Sequence, residues 1–477
     1  MLSRIMKHEW RNLSADRTLW AIALLLVVTI GYGFYNGMAW VRFQNNTLSE
    51  VATEEHDRLE SVKTGIEQAE ARHARLNPLS DPRSPTALGR AMGVRYASMP
   101  PGPLAAFAIG QSDLYPYYFR VSIASKQTFA NNDEIEHPVH LMSGRFDLAF
   151  VILYLYPLTI LALSYNLISA EKETGTLAMT LSQPIALYKL VAGKVGLRFL
   201  FVLAIAASLS VAGVVAGGAD LASEGVGLRL ALWFGVVALY GAFWFVLAAA
   251  VNAFGASSST NAIALSGLWL TFVLLIPSFL NVAVKYFYPV PSRVELIQAM
   301  REASGEASAK GSRLLSRYFE DHPDLAGEKA DTSDFGVTTL LTQEEVDRRV
   351  QPVLTRFDEQ LERQQALVDR YRFLSPAVIA QASLFDIAGS SAHRYQHFVQ
   401  LADEFHGAWR AYFGPRIIKN EPVSREDVDR FPRFRFVEEP IGQVAARVGS
   451  GLWGLAIPTA LLGVIAILAL RRFPVTG

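Results

Sequence analysis

Six long apolar blocks, each almost without charged side chains, constrain the fold of this 477-residue chain more than any other feature. The hydrocarbon core of a membrane is about 30 Å thick, so a helix needs roughly 20 apolar residues to cross it. The blocks are Leu19–Trp40, Phe146–Ser169, Tyr188–Gly217, Leu228–Val251, Asn261–Lys285 and Leu452–Leu470. The sequence therefore predicts an all-α integral membrane protein with six transmembrane helices.

Lys and Arg residues near the block ends predict the orientation of the spans, because cytoplasmic loops carry an excess of them. They occur in residues 1–18, between the second and third blocks, and after the last block. The residues concerned are Arg4, Lys7, Arg11, Arg17, Lys172, Lys189, Arg471 and Arg472. These regions share one side of a six-span arrangement, so both termini are expected in the cytoplasm. Segments 41–145 and 286–451 are then expected to form two mainly helical extracytoplasmic domains.

Residue content disfavours several classes of function. The 44 basic and 44 acidic residues cancel, so net charge does not indicate a nucleic-acid partner. The chain has no cysteine, which excludes disulfides, thiolate metal sites and cysteine nucleophiles. The span interiors contain essentially no ionisable side chain, whereas ion-coupled carriers usually keep one near the middle of the membrane. An ion-coupled carrier is therefore the least favoured class.

The chain also lacks the nucleotide-binding pattern G-x-x-x-x-G-K-[ST], whose amides, lysine and hydroxyl hold phosphates and magnesium. The nearest match is Gly193-Lys194, but Tyr188 stands at the first glycine position and Val195 at the hydroxyl position. Two histidine pairs lack an identifiable third metal ligand: His393 with His397, and His137 with His140. We therefore predict no enzymatic activity and no catalytic, cofactor-binding or metal site in this chain.

Three prolines, Pro157, Pro277 and Pro458, lie within predicted spans. Membrane helices tolerate proline because neighbouring helices or water satisfy the carbonyl that proline releases. A static packing kink and a gating kink are both compatible with the sequence.

The segment that follows the second block, residues 167–194, is the most informative about function. It reads LISAEKETGTLAMTLSQPIALYKLVAGK. The pattern predicts a short amphipathic helix whose apolar edge is Leu177, Met179 and Leu181. Thr174-Gly175-Thr176 allows a tight bend, and Pro184 ends the segment. An ordinary interfacial loop is the alternative interpretation.

The run Glu171-x-Glu173-x-Gly175-Thr176-Leu177, followed by Leu181-Ser182-x-Pro184, resembles the signature of ABC-2-type ABC transporter permeases. In that family the matching stretch, here residues 170–187, is a coupling helix that docks on a cytoplasmic ATPase. The resemblance implies an ATPase-coupling interface formed by Glu171, Glu173, Gly175, Thr176, Leu177 and Pro184. From the residues alone, a purely local cap is the alternative role for the two glutamates.

Two further regions resemble parts of this family. Residues 1–18 resemble its amphipathic elbow helix, with an expected lipid face of Leu2, Ile5, Met6 and Leu13. The long outside segments resemble a subgroup with large extracytoplasmic domains, which includes gliding-motility and copper-enzyme-maturation permeases. Residues 373–398 resemble the second outside domain of that subgroup.

The resemblance implies a permease subunit of an ATP-driven ABC exporter in the bacterial inner membrane, with an unidentified substrate. Its expected partners are a cytoplasmic ABC ATPase dimer that binds ATP and magnesium, a second permease that is identical or related, membrane lipid, and a periplasmic protein. No nucleic acid is expected. The alternative is an ATPase-coupled mechanotransmission or scaffold subunit that moves no cargo.

Overall fold

The computed structural model describes residues 2–72, 80–124, 146–182, 185–217, 225–289, 293–310, 320 and 335–473. Within these ranges the chain is mainly helical, as the sequence predicts. The helices are α1 Leu2–Ala15, α2 Arg17–Arg72, α3 Pro85–Ala87, α4 Leu148–Phe150, α5 Tyr156–Ser164, α6 Ser169–Glu173, α7 Thr176–Leu181, α8 Leu187–Ala216, α9 Val226–Asn252, α10 Ser258–Trp269, α11 Ile276–Phe287, α12 Arg293–Ala309, α13 Phe335–Tyr371, α14 Pro376–Ala388, α15 Ala392–Ile418, α16 Arg425–Asp429 and α17 Ile441–Arg471. The π-helical turns are Leu88–Met92, Val151–Leu155 and Leu270–Leu275, and a 3-10 turn is Arg372–Leu374.

Six helical segments in the described ranges are long and apolar enough to cross a membrane, which confirms that the six apolar blocks form six long helices. We number them spans 1 to 6: Arg17–Ala71, Leu148–Glu173, Leu187–Val215, Val226–Asn252, Ser258–Phe287 and Ile441–Arg471. Each overlaps the apolar block predicted for it. Span 2 begins two residues later than its block because Asp147 caps it, and the carboxylate accepts a 2.6 Å hydrogen bond from the Phe150 amide.

Span 1 does not end with its apolar block at Trp40. Helix α2 continues without interruption to Arg72 and contains 56 residues, which at 1.5 Å per residue gives a length of about 84 Å. The continuation has neither proline nor glycine between Met38 and Thr64. The helix therefore projects far beyond the bundle on one side.

Two glycines let span 1 approach the backbone of the neighbouring chain very closely. A Cβ atom at Gly37 would lie 2.0 Å from the Ala106 carbonyl oxygen, and one at Gly33 would lie 2.7 Å from the Asp147 carbonyl carbon. No side chain fits at such distances. Gly33 and Gly37 therefore form a close contact between span 1 and the rest of the bundle.

Span 4 lies in the centre of the bundle. Its side chains Trp233, Tyr240 and Trp244 are fully buried, together with Tyr156 of span 2. The hydroxyl of Tyr240 donates a 2.9 Å hydrogen bond to the carbonyl of Leu153 in span 2. Buried aromatic side chains of this size contribute much of the packing energy of such a core.

Segments 41–145 and 286–451 contribute side chains to one shared hydrophobic core, outside the bundle. The rings of Phe119 and Phe398 stack at 5.2 Å, and Trp409 packs against Phe413 and Phe431. A two-stranded antiparallel sheet, β1 Arg95–Ser98 and β2 Tyr118–Val121, belongs to the same unit and was not predicted. We call this unit the head.

One helix of segment 286–451 lies in the bundle rather than in the head. Helix α14 contains 13 residues and packs against spans 4 and 6, and its buried side chains belong to the bundle core. These side chains are Ala377, Ile379, Ala380, Leu384, Ile387 and Ala388. The sequence analysis did not predict this placement.

Candidate partner-binding face

The motif of residues 167–194 lies at the end of the bundle opposite the head, which we call the basal end. Ile5 of α1, Leu177 of α7 and Leu470 at the end of span 6 share one hydrophobic cluster there. The first helix, the motif and the end of the last span are therefore on the same side of the bundle. The distribution of basic residues predicts the same relation.

The predicted bend is present, and it divides the predicted coupling helix 170–187 into two short helices, α6 and α7. Gly175 joins them with a φ of 74°, in the left-handed region that favours glycine. A side chain at Gly175 would meet no atom within 4 Å, so conformation rather than crowding calls for glycine there. Thr174, Gly175 and Thr176 are all exposed, and the two hydroxyl groups hydrogen-bond at 3.0 Å.

Glu171 pairs with a lysine of this chain. The Lys194 ammonium in span 3 donates to Glu171 Oε1 at 2.6 Å and to the Leu167 carbonyl at 3.0 Å. Lys194 is buried, so its charge needs these two acceptors. Glu171 therefore fixes α6 to span 3.

Glu173 caps the first turn of span 5. Its carboxylate accepts a 2.7 Å hydrogen bond from the Ser258 amide and a 3.0 Å bond from the Ser258 hydroxyl. A carboxylate at this position satisfies an unpaired amide and favours the positive end of the helix dipole. Lys172 supports the contact by donating to the Gly255 carbonyl at 3.2 Å. Both glutamates thus have partners within this chain, and Glu173 is the one of the two that caps a helix.

The remaining predicted interface residues differ in exposure. Leu177 is buried in the basal cluster, whereas Thr176 is exposed and Met179 is 75% exposed. Pro184 lies outside the described residues. The surface that α6 and α7 present outward therefore comprises the bend, Met179, Glu173 and Ala178.

A buried amide network beneath α6 was not predicted. Asn252, at the end of span 4, donates to the carbonyls of Ser164 and Ala248 at 3.0 and 2.9 Å. Its side-chain oxygen accepts from Asn261 of span 5 at 3.2 Å. The Ser169 hydroxyl bonds to that of Ser258 at 2.8 Å. The only sequence signal is the position of the two asparagines at the facing ends of adjacent blocks.

The predicted elbow helix is present as α1 and lies against span 3. Buried Glu9 accepts hydrogen bonds from Arg198 at 3.1 and 2.5 Å. Ile5, expected to face lipid, instead packs in the basal cluster, and Leu13 packs against the bundle core. Met6 is partly buried, and the side chain of Leu2 lies outside the described part. Between α1 and α2, the Thr18 amide donates a hydrogen bond to the Asp16 carboxylate. This bond lowers the pKa of the Asp16 carboxyl group.

The two histidine pairs do not form a described metal site. His393 faces Asp386, and His397 hydrogen-bonds to the Val437 carbonyl at 2.9 Å, so the two rings have different partners. His137 and His140 lie outside the described residues. Among the described residues, no group of three or more possible ligands comes together.

Residues 293–437 match a family described as "Domain of unknown function (DUF3526)". The matched range includes helices α12 to α16, and therefore part of the head and all of α14. No curated protein matches the chain.

Proposed function

We propose that this chain is the permease subunit of an ATP-driven ABC exporter in the bacterial inner membrane, with its basal end in the cytoplasm. The observation that carries the proposal is the exposed bend between α6 and α7. Its flanking glutamates are bonded to two different spans, so a force applied at the bend reaches both of them. The chain lacks the sequence pattern G-x-x-x-x-G-K-[ST], and a separate cytoplasmic ATPase dimer would bind ATP and magnesium.

The structure changes the roles we assign to the predicted interface residues. Glu171 and Glu173 act inward, since their carboxylates already bind Lys194 and Ser258. The bend and Met179 would meet the ATPase. An exposed methionine adapts its shape to an apolar groove, which suits this role.

Basic side chains around the bend favour an acidic rim on the partner. Lys7, Lys189 and Arg472 are all exposed at the basal end. Complementary charge at a rim speeds association and selects the partner more than it adds affinity. A second permease, identical or related, would complete a twelve-span pathway.

Substitution of Met179 tests the proposal. The tagged chain is purified from its own cells, and a co-purifying protein is identified as the partner only if it carries a phosphate-binding motif and hydrolyses ATP. Met179→Glu should reduce recovery of that ATPase about tenfold, the loss expected for one central contact. Val437→Glu, at an exposed position in the head, is the matched control and should leave recovery unchanged. Equal recovery with both variants would reject this face as the docking site.

The alternative function, mechanotransmission without cargo, is favoured by one observation. Helix α14 fastens segment 286–451 to the bundle, so movement of the spans would displace the head. Reconstitution with the ATPase separates the two functions. Accumulation of co-purified small molecules inside vesicles supports export, whereas ATP-dependent movement of the head without accumulation supports mechanotransmission.

A further inference from the structure

Residues 364–388 enter the bundle from the head side and return, and we call them the inserted hairpin. Its entry lies beside the head end of span 5, where the Gln364 amide donates to the Tyr288 carbonyl at 2.5 Å. The chain turns at Ser375, whose hydroxyl donates to the Phe272 carbonyl at 2.5 Å, near the middle of the 30-residue span 5. It returns along α14 to Arg229, in the first turn of span 4, which donates to the Ile387 carbonyl at 2.8 Å.

Helix α14 packs against span 6 at positions where span 6 has glycines instead of larger residues. We call this contact surface the seat of α14. A Cβ atom at Gly451 would lie 2.4 Å from the Ser383 hydroxyl oxygen, and one at Gly454 would lie 3.3 Å from Ile379. At the end of α14, Arg447 of span 6 donates to the Asp386 carboxylate at 3.3 Å. Helix α14 is thus fixed to spans 4, 5 and 6 by separate contacts.

The turn of the hairpin exposes large apolar side chains. Tyr371 is 44%, Phe373 51% and Leu374 55% exposed. Arg372, between two of them, donates to the Ser450 hydroxyl of span 6 at 2.7 Å. The turn therefore combines an exposed apolar surface with a polar contact to the last span.

Span 5 is irregular at the point where it holds the hairpin. The π-helical turn Leu270–Leu275 precedes Pro277, and proline has no amide hydrogen to donate. The Phe272 carbonyl, five residues before this proline, accepts its hydrogen bond from the Ser375 hydroxyl. The same hydroxyl also caps α14, accepting from the amides of Ala377 and Val378 at 3.2 and 3.3 Å.

The other end of span 5 is held by Glu173. One helix therefore joins the basal bend to the inserted hairpin: Glu173 binds its first residue, and Ser375 binds it 14 residues later, about 21 Å along the axis. The backbone of span 5 connects these two contacts directly.

We propose that span 5 transmits displacement of α6 to the head through the hydrogen bond between Ser375 and Phe272. The inference rests on the proposed function in one respect: the ATPase is what would move α6. The contacts along span 5 that transmit the movement belong to this chain. A hairpin that merely fills space would not respond to a change at the basal end.

The absence of cysteine makes a single reporter thiol possible. Ser383→Cys places it in the buried interface between α14 and span 6, where only separation of the two helices admits a maleimide. The labelling rate is measured in vesicles containing the full chain, alone and with Glu173→Ala, Ser375→Ala or both substitutions. Glu173→Ala should raise the rate about fivefold, the ratio that corresponds to loss of one helix cap. In the Ser375→Ala background, Glu173→Ala should have no further effect.

Two controls accompany the reporter. Ser182→Ala removes an exposed hydroxyl at the basal end that donates to the Met179 carbonyl of its own turn rather than to span 5, and should leave the rate within about twofold of the parent. Ser375→Thr keeps the hydroxyl and should keep the response to Glu173→Ala. The inference is overturned if Glu173→Ala leaves the rate unchanged, or raises it equally with and without Ser375.

A second measurement separates this inference from the proposed function. The reporter thiol of the Ser383→Cys variant is labelled in the complex with the co-purified ATPase, with and without ATP and vanadate. If the ATPase binds and hydrolyses ATP but Glu173→Ala leaves the labelling rate unchanged, transmission through span 5 is wrong and the proposed function stands. If no ATPase binds but Glu173→Ala still raises the rate, the proposed function is wrong and the path along span 5 stands.

Discussion

Spans 2 and 5 contain the same backbone irregularity but obtain its hydrogen-bond partner from different places. In each, a π-helical turn precedes a proline: Val151–Leu155 before Pro157, and Leu270–Leu275 before Pro277. In span 2 the Leu153 carbonyl, four residues before Pro157, accepts from Tyr240 of neighbouring span 4, within the bundle. In span 5 the Phe272 carbonyl, five residues before Pro277, accepts from Ser375 of the inserted hairpin, from the head segment. The difference shows that one local defect can lock a helix into its bundle or attach it to another unit.

Close packing around the two irregular spans is permitted by glycines in both cases. A Cβ atom at Gly241 of span 4 would lie 2.4 Å from the Tyr156 hydroxyl of span 2, the same distance as between Gly451 and Ser383 at the hairpin. Both attachments therefore combine a close contact at a glycine with a π-helical turn before a proline. They differ in what is attached, which is a neighbouring span in one case and a helix of the head segment in the other.

The largest expected effect concerns the seat of the hairpin. Gly451→Val should lower the free energy of unfolding by about 3 kcal/mol, because the added methyl groups overlap Ser383 in a tightly packed interface. Gly449→Val is the matched control, since a side chain at Gly449 meets no atom within 4 Å. Denaturant titration of the detergent-solubilised chain measures both. Equal losses would show that α14 does not fit tightly against span 6.

Removal of the Ser375 hydroxyl should have the next largest effect. Ser375→Ala removes a helix cap and leaves the Phe272 carbonyl unpaired in an apolar setting, which together should cost about 2 kcal/mol. Ser375→Thr should recover most of the loss. Thermal unfolding of the two variants gives the comparison, and an Ala variant as stable as the parent would contradict the role of this hydroxyl.

The corresponding change at span 2 should be smaller. Tyr240→Phe removes one hydrogen bond and no cap, so the expected loss is about 1 kcal/mol. In a Pro157→Ala background the new amide can bind the Leu153 carbonyl, and the loss should shrink. Tyr240→Phe should also leave maleimide labelling of the Ser383→Cys reporter unchanged. Faster labelling would remove the distinction between the two spans.

The smallest effect is a pH dependence at the contact between α15 and the end of the hairpin. The Asp386 carboxylate raises the pKa of His393 above its ordinary value of 6.5, although burial acts in the opposite direction. The stabilisation is complete below pH 6.5 and is lost as pH rises through the raised pKa, for a total of about 0.5 kcal/mol. His393→Gln should abolish this component in unfolding titrations between about pH 5.5 and pH 8. The hydroxyl–carbonyl bond of span 2 does not titrate there.

Apolar block length was sufficient to predict the spans, because crossing a membrane imposes a minimum length on a helix. It could not predict α14. Thirteen apolar residues suit a buried helix of a soluble core equally well, and the seat on span 6 depends on Gly451, far along the chain. The unbroken length of α2 also exceeded the prediction, since polar residues after Trp40 end the apolar block without ending the helix.

The candidate site was predicted in its backbone and missed in its contacts. The bend at Gly175 follows from a local rule, the freedom of glycine to adopt positive φ. The partners of Glu171 and Glu173 lie 23 and 85 residues away, at Lys194 and Ser258. The periodicity of a single sequence gives no information about pairing between residues so far apart, so the contacts of the two glutamates could not be predicted.

The close contact of Gly33 and Gly37 gives helix α2 the geometry of a lever with unequal arms. From this contact, about 27 Å of helix extends to Arg17 at the basal end and about 56 Å extends to Arg72 in the head. If the helix turns rigidly about the contact, a displacement of about 1 Å at its beginning becomes about 2 Å at its tip. Small movements at the basal end would then be amplified in the head.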